Sequence, residues 1–228
     1  MRDVPPPKYP HEVLAVVLRV RDERLEVLLW RRAEKPYAGR WALPGGALGA
    51  KERLGTAIAR QLATKVDVRE IAHLEQLETR SDPRRDPRGR VLATAYLGLV
   101  PSDAEPSLPQ DTAWHPVDDL PSTAFDHGSL AESGRARLGA KLSYTTIGFA
   151  LAPKAFTISQ LRDIYSAALG HQVSATNLQR VLLRRQVIER TDTTASPTES
   201  GGRPAAVYRF RDRSLRVTDE FPAFRPRT

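Results

Sequence analysis

A chain of 228 residues with 40% hydrophobic and 27% charged side chains is long enough for two domains and reads as globular rather than disordered. It has no cysteine, which excludes disulfides, thiol nucleophiles and thiolate-held zinc, and its five histidines are scattered without metal-ligand spacing. The formal net charge of +8 is uneven: residues 1–140 carry 21 basic and 20 acidic side chains and residues 141–228 carry 14 and 7, so the excess predicts a C-terminal module with a polyanionic partner.

In chain order, the start Met1 to Lys8 lacks an apolar leader and no later run is long enough to span a bilayer, so a cytoplasmic location and no membrane partner are expected. His11–Val20 and Arg24–Arg31 are apolar, β-branched runs around the polar Arg21-Asp22-Glu23, which predicts a hairpin. A turn-rich stretch from Arg32 through Tyr37, Gly39 and Trp41 ends in Pro44-Gly45-Gly46. The spacing then predicts a helix over about Glu52–Lys65, with Leu54, Ala57, Ile58 and Leu62 on one face and Arg60, Gln61, Thr64 and Lys65 bordering a cleft. Strands are predicted over Ile71–Thr79 and Val91–Val100. The loop between them holds four arginines, Arg84, Arg85, Arg88 and Arg90, whose forked guanidinium groups match phosphate oxygens. Asp126-His127 falls at a predicted helix start, where the aspartate is expected to cap amide groups rather than to serve in a catalytic dyad.

The second half opens with a predicted linker helix over 129–142, a type of element that commonly also pairs subunits. Thr157–Leu169, a glycine stop at Gly170, a short turn and a helix from Ala175 to Arg185 behind the N-cap Ser174 form a helix-turn-helix signature. Leu178, Val181, Leu182 and Arg185 share the inner side of its second helix. Thr176, Asn177, Arg180 and Arg184 form a polar stripe with no acidic member, and asparagine and arginine suit adenine and guanine edges. After Val187–Arg190 come a polar loop and Gly201-Gly202-Arg203-Pro204 before Val207–Phe210, two strands around a tip that make a wing, with Arg203 placed to meet the DNA backbone or minor groove.

The segment Gly45–Val68 resembles the Nudix box, G-x5-E-x7-R-E-U-x-E-E-x-G-U, where U is aliphatic. Gly46, Glu52, Arg60, Leu62 and Val68 are in register, and Trp41-Ala-Leu43-Pro44-Gly45-Gly46 matches the turn before it. The three later glutamates are replaced by Gln61, Thr64 and Lys65, and the second glycine by Asp67. Spaced i, i+3, i+4, those positions share the face on which carboxylates would gather around Mg²⁺. Two neutral side chains and a cation that repels the metal imply a Nudix fold kept for binding, with no catalytic residue, no metal and no required cofactor.

With Glu75-Gln76-Leu77, Arg85-Asp86-Pro87-Arg88-Gly89, Ala95-Tyr96-Leu97, Trp114, Leu120-Pro121 and Phe125-Asp126-His127, the first half is similar to the Nudix-related (NrtR-type) transcriptional regulators of NAD metabolism. Asn177-Leu178-Gln179-Arg180 and Gly202-Arg203-Pro204-Ala205 look like segments of that family's winged helix, with Leu178 in place of its usual phenylalanine. The resemblance implies an α/β Nudix-like mixed-sheet sandwich (residues 1–128), the linker helix and a winged helix-turn-helix domain (residues 143–228). It implies a homodimeric repressor of NAD synthesis or salvage genes that senses ADP-ribose or a related metabolite and binds a near-palindromic double-stranded operator. The candidate ligand residues are Arg32, Tyr37, Trp41, Gly45, Gly46, Glu52, Arg60, Arg85 and Arg88. The candidate DNA residues are Thr176, Asn177, Gln179, Arg180, Arg184 and Arg203. The rival reading is an active ADP-ribose or nucleotide pyrophosphatase with a metal site rebuilt from Glu52 and Glu70 or Glu75.

Overall fold

The structure, a computed structural model, describes residues 7–68, 71–194 and 205–218. Its first half is a seven-stranded mixed sheet made by β1 (His11–Arg21), β2 (Arg24–Arg31), β3 (Trp41–Ala42), β4 (Gly45–Ala47), β5 (His73–Arg80), β6 (Leu92–Leu99) and β7 (Thr112–Pro116). The main path runs β3-β2-β1-β6-β5, with β4 added beside β1 and β7 beside β2; β1 and β6 are parallel and every other pairing is antiparallel. The predicted hairpin turns on Asp22 and Glu23, both at positive φ (45° and 59°), the mirror-image turn that matches strand twist.

Alternation along β1 divides the core. Val13, Ala15 and Val17 face α1 (Leu54–Lys65), which returns Ala57, Ile58 and Leu62. Leu14, Val16, Leu18 and Val20 face the opposite way, into a cluster with Leu130, Ala131 and Leu138 of α2 (His127–Tyr144). The expected linker helix is therefore longer than 129–142 and is the second helical layer of the sandwich. It sits so close to the sheet that a Cβ on Gly134 would lie 2.6 Å from Val16 Cγ1. The position of the second box glycine keeps a left-handed backbone although it is now Asp67 (φ 49°), one of the residue types that tolerates that region.

A 3₁₀ turn, Ile147–Ala150, leads to β8 (Phe156–Thr157), α3 (Ile158–Leu169), α4 (Ala175–Arg184), β9 (Ile188–Thr194) and β10 (Ala206–Phe210), with a small sheet in the order β8-β10-β9. α3 opens with a reciprocal capping box between Thr157 and Gln160 and stops at Gly170 (φ 74°); α4 is capped by the Ser174 hydroxyl, which accepts from the Asn177 amide. Arg203 lies outside the described residues.

The segment after β10, which no sequence motif explains, straps the joint between the halves. The Thr146 and Thr218 amides donate to the carbonyls of Arg216 and Tyr144, and Arg213 donates to the carbonyls of Ala152 and Pro153. No helix among the described residues is long and apolar enough to cross a membrane.

Candidate functional site

A cleft of about 920 Å³ opens where β1, β4, the C-terminal end of α1, the arginine loop and the start of α2 converge. Pro-Gly-Gly makes its wall: Gly45 is so close to β1 that a Cβ would fall 2.1 Å from the Val13 carbonyl oxygen, and one on Gly46 would fall 2.6 Å from the Gln61 carboxamide. Of the expected ligand residues, Arg32, Gly45, Gly46 and Arg88 line this space. Arg32 stacks over the Phe125 ring at 5.0 Å and donates to the Pro36 carbonyl, and Arg88 is held by buried Asp86 at 2.6 Å with its outer surface left in water.

Five expected ligand residues stand elsewhere. Arg85 is sealed in the protein, 1% exposed, with Nη1 2.7 Å from Glu12 and Nη2 2.9 Å from Asp126, because two carboxylates from distant strands and helices meet there and a buried guanidinium requires such partners. Arg60 forms a two-pronged bond to Glu52, both contacts 2.8 Å, so this pair satisfies itself beside a separate shallow groove. Arg60 and then the Gly49 amide hold the Glu52 carboxyl down at about 2, although burial opposes them. Trp41 packs edge-on against His115, and Tyr37 sits edge-on to Phe125 in a neighbouring hollow that shares Arg88 with the cleft.

The Mg²⁺ that a Nudix box would bring does not fit these residues. Glu52 is neutralised by Arg60, and no group of three acidic or histidine side chains is placed to hold a metal among the described residues. Glu75, offered as a substitute ligand, is instead bound by Lys141 at 2.5 Å, His73 and Arg137; Glu70 lies outside the described residues.

The cleft also contains Lys65, which the helix spacing places at its border, and Trp30, Phe125 and His127, which were not among the expected ligand residues. Asp126 takes the N-cap position of α2 but makes no side-chain cap; its carboxylate is spent on Arg85. Burial pushes the Asp126 carboxyl up, and the Arg85 hydrogen bonds outweigh it, so its pKa ends below the usual range. His127 is 3% exposed, and burial drives its pKa to about 3, so the ring is neutral. Its Nδ1 accepts from the Leu43 amide at 3.0 Å, which places the proton on Nε2, a buried donor without a hydrogen-bond partner among the described residues, on a side chain that lines the cleft. Phe125, directly before this pair, holds the left-handed backbone (φ 51°) that bulky residues rarely adopt. The signal was present in the Phe-Asp-His triplet, but only the fold shows that it turns toward the cleft.

On the second half, Thr176, Asn177, Arg180 and Arg184 are exposed on α4, while Leu178 and Leu182 anchor it. Arg180 donates to Asn177 Oδ1 at 2.7 Å, which pre-orients the two as one unit. Gln179 differs: its carboxamide donates to the Tyr208 hydroxyl at 2.8 Å and ties α4 to the wing strand. α2 connects the two sites physically. It starts at the cleft with His127, rises about 27 Å over its 18 residues, and ends where the Ser143 carbonyl accepts from Arg185 at the C-cap of α4.

The family model described as the NUDIX domain matches residues 10–133, and that of the NrtR DNA-binding winged helix domain matches residues 148–210. The ADPR responsive transcriptional repressor NtrR of Acinetobacter baylyi is 31% identical over 212 residues, 89% of this chain and 83% of that protein. The crystal structure of Shewanella oneidensis NrtR complexed with a 27mer DNA matches with a TM-score of 0.74 at 31% identity, covering 88% of this chain and 93% of that one. The NUDIX domain of the same Shewanella protein complexed with ADP ribose matches with a TM-score of 0.52 at 35% identity, over 58% of this chain and 90% of that one.

Proposed function

This chain belongs to the NrtR family, a Nudix domain joined to a DNA-binding winged helix, and from that premise we propose that it is a transcriptional repressor of NAD synthesis or salvage genes that leaves its operator when ADP-ribose fills the cleft. The observation that carries the reading is the single helix, α2, that lines a cationic cleft at one end and holds the recognition helix at the other. A ligand changes DNA affinity only if it binds two arrangements of the protein unequally, and α2 is the element through which the two sites can sense one another. Arg32 and Arg88 receive the diphosphate, and the His127 Nε2 donor meets a ligand oxygen.

The Nudix domain is catalytically silent in this reading, because the charge stabilisation that a metal brings to diphosphate cleavage has no carboxylates to assemble it. The working unit is a homodimer that places two α4 helices on half-sites about one helical turn apart, in the cytoplasm with the chromosome.

The test is operator binding followed by fluorescence anisotropy in EDTA, with and without ADP-ribose. ADP-ribose should weaken the complex by roughly 5- to 150-fold, the usual span of coupling between linked sites. Unchanged DNA affinity at saturating ADP-ribose refutes the effector role, and steady Mg²⁺-dependent release of AMP from ADP-ribose refutes catalytic silence.

A further inference from the structure

At the box face, three side chains stand where three glutamates would be, and they do not behave alike. Gln61 is turned against the glycine turn, where its carboxamide bridges the Gly45 carbonyl (3.2 Å) and Arg60 Nη1 (3.1 Å). Thr64 is turned back on its own helix, its hydroxyl donating to the Arg60 carbonyl at 2.8 Å. Lys65 alone of the three enters the cleft. Its ammonium donates to the Gly45 carbonyl at 2.5 Å and lies 4.6 Å from the centre of the Trp30 ring, so a carbonyl dipole and a π face fix a cation at the cleft floor. It is the last residue of α1, where the helix dipole favours positive charge. Glu12 and Glu34 act on it only at a distance, Glu12 being held at 2.7 Å by Arg85.

We propose that the Lys65 ammonium replaces the metal ion, a built-in cation that binds the diphosphate of the ligand from the helix side while Arg32 and Arg88 close on it from the loops. This deepens the ADP-ribose reading and rests on it for the ligand's identity. The substitution has a chemical logic. A divalent ion bridging a diphosphate between glutamates activates it for attack, whereas a tethered ammonium neutralises charge with no bound water to deliver and no second coordination position. With the other two box carboxylates also replaced, Lys65 thus suits the pocket to reversible binding and makes occupancy independent of the cell's free Mg²⁺. Burial first and the Arg32 charge next lower the Lys65 pKa, a penalty that an arriving anion relieves.

Titration calorimetry with ADP-ribose and with inorganic pyrophosphate, on wild type, Lys65→Met, Lys65→Arg and Lys65→Glu, in EDTA and in Mg²⁺, tests this. Wild type should bind equally in both media. Lys65→Met should lose about tenfold or more in both, a charge-assisted contact being at stake, and Lys65→Arg should keep most of the affinity. Lys65→Glu should bind poorly in EDTA and recover in Mg²⁺, a rescue that a merely structural lysine would not produce. Full affinity in Lys65→Met with a normal melting temperature overturns the proposal, as does indifference of Lys65→Glu to Mg²⁺. Pyrophosphate separates the two readings. If it binds wild type and weakens in Lys65→Met while ADP-ribose does not bind at all, the effector assignment falls and the cation's role stands.

Discussion

Arg85→Ala should cost about 3 kcal/mol of folding stability, read as a shift of the urea midpoint. Removing one partner of a buried ion pair strands the others, a loss of roughly 3–5 kcal/mol, and the lower end applies because Glu12 and Asp126 keep 21% and 23% of their side-chain surface in water. The pH dependence gives the mechanism away. Asp126 has a folded pKa held below its unfolded value of about 3.9, so its contribution is present above that pH and is lost as pH falls through the folded value. In Arg85→Ala burial, the largest influence, is left opposed only by the smaller effects of His127 and of Asp126's own backbone amide, so the carboxyl shifts up. The gap between wild type and variant should therefore be widest near neutrality and narrow on acidification below about pH 5. A gap that stays constant from pH 7 to pH 3 would mean that the guanidinium stabilises by packing alone. ADP-ribose binding should fall as well, though Arg85 does not line the cleft, because it fixes the arginine loop to β1 and to the start of α2.

On the operator, Asn177→Ala and Arg180→Ala should each cost roughly 1–3 kcal/mol and should cost much less on random DNA, since base-edge contacts are lost while backbone contacts remain. The bond between the two side chains sharpens this expectation: the double variant should lose less than the sum of the singles, because each loss already disorders the other's side chain. Gln179→Ala should instead act on stability and on the wing's placement, through Tyr208. Arg203→Ala, if the wing meets phosphate, should weaken all duplexes alike and lower the salt slope by about one unit. Competition titrations against a scrambled duplex separate these behaviours, and equal losses on both duplexes for Asn177→Ala and Arg180→Ala would show that α4 does not read bases.

The sequence made the architecture readable because both halves carry local signals: alternation in β1, the spacing of the box, caps and a glycine stop around the helix-turn-helix. The site was readable only in part, and Arg85 and Arg88 show why. In one loop three residues apart, they look equivalent, yet one is buried by carboxylates 73 and 41 positions away and the other is steered to the cleft by Asp86, two positions before it. Glu52 and Arg60 were both expected to meet the ligand, and nothing in their spacing reveals that they satisfy each other. Lys65 was visible as a charge opposed to a metal. That its ammonium would reach the floor of the cleft depends on Gly45 and Trp30, which only the folded chain brings to it. The helix over 129–142 read as a connector because its small residues give little amphipathic contrast; Gly134 and Ala131 are small because the sheet is close.

One apolar cluster runs from Leu14 and Val16 on the sheet through Leu138, Leu142, Ile147 and Phe149 to Leu161, Leu182 and Phe210 of the winged helix. Because this cluster spans both halves, they are expected to melt as one cooperative unit rather than as two separate domains. Heating should then give a single transition, and ADP-ribose at a hundredfold excess over its dissociation constant should add about 2.7 kcal/mol to the global opening free energy. Amide hydrogens in the most protected turns of α3 and α4, which never touch the nucleotide, should exchange more slowly by the same increment. Sensor and reader thus share one unfolding equilibrium, so a destabilising change in either half erodes the persistence of both.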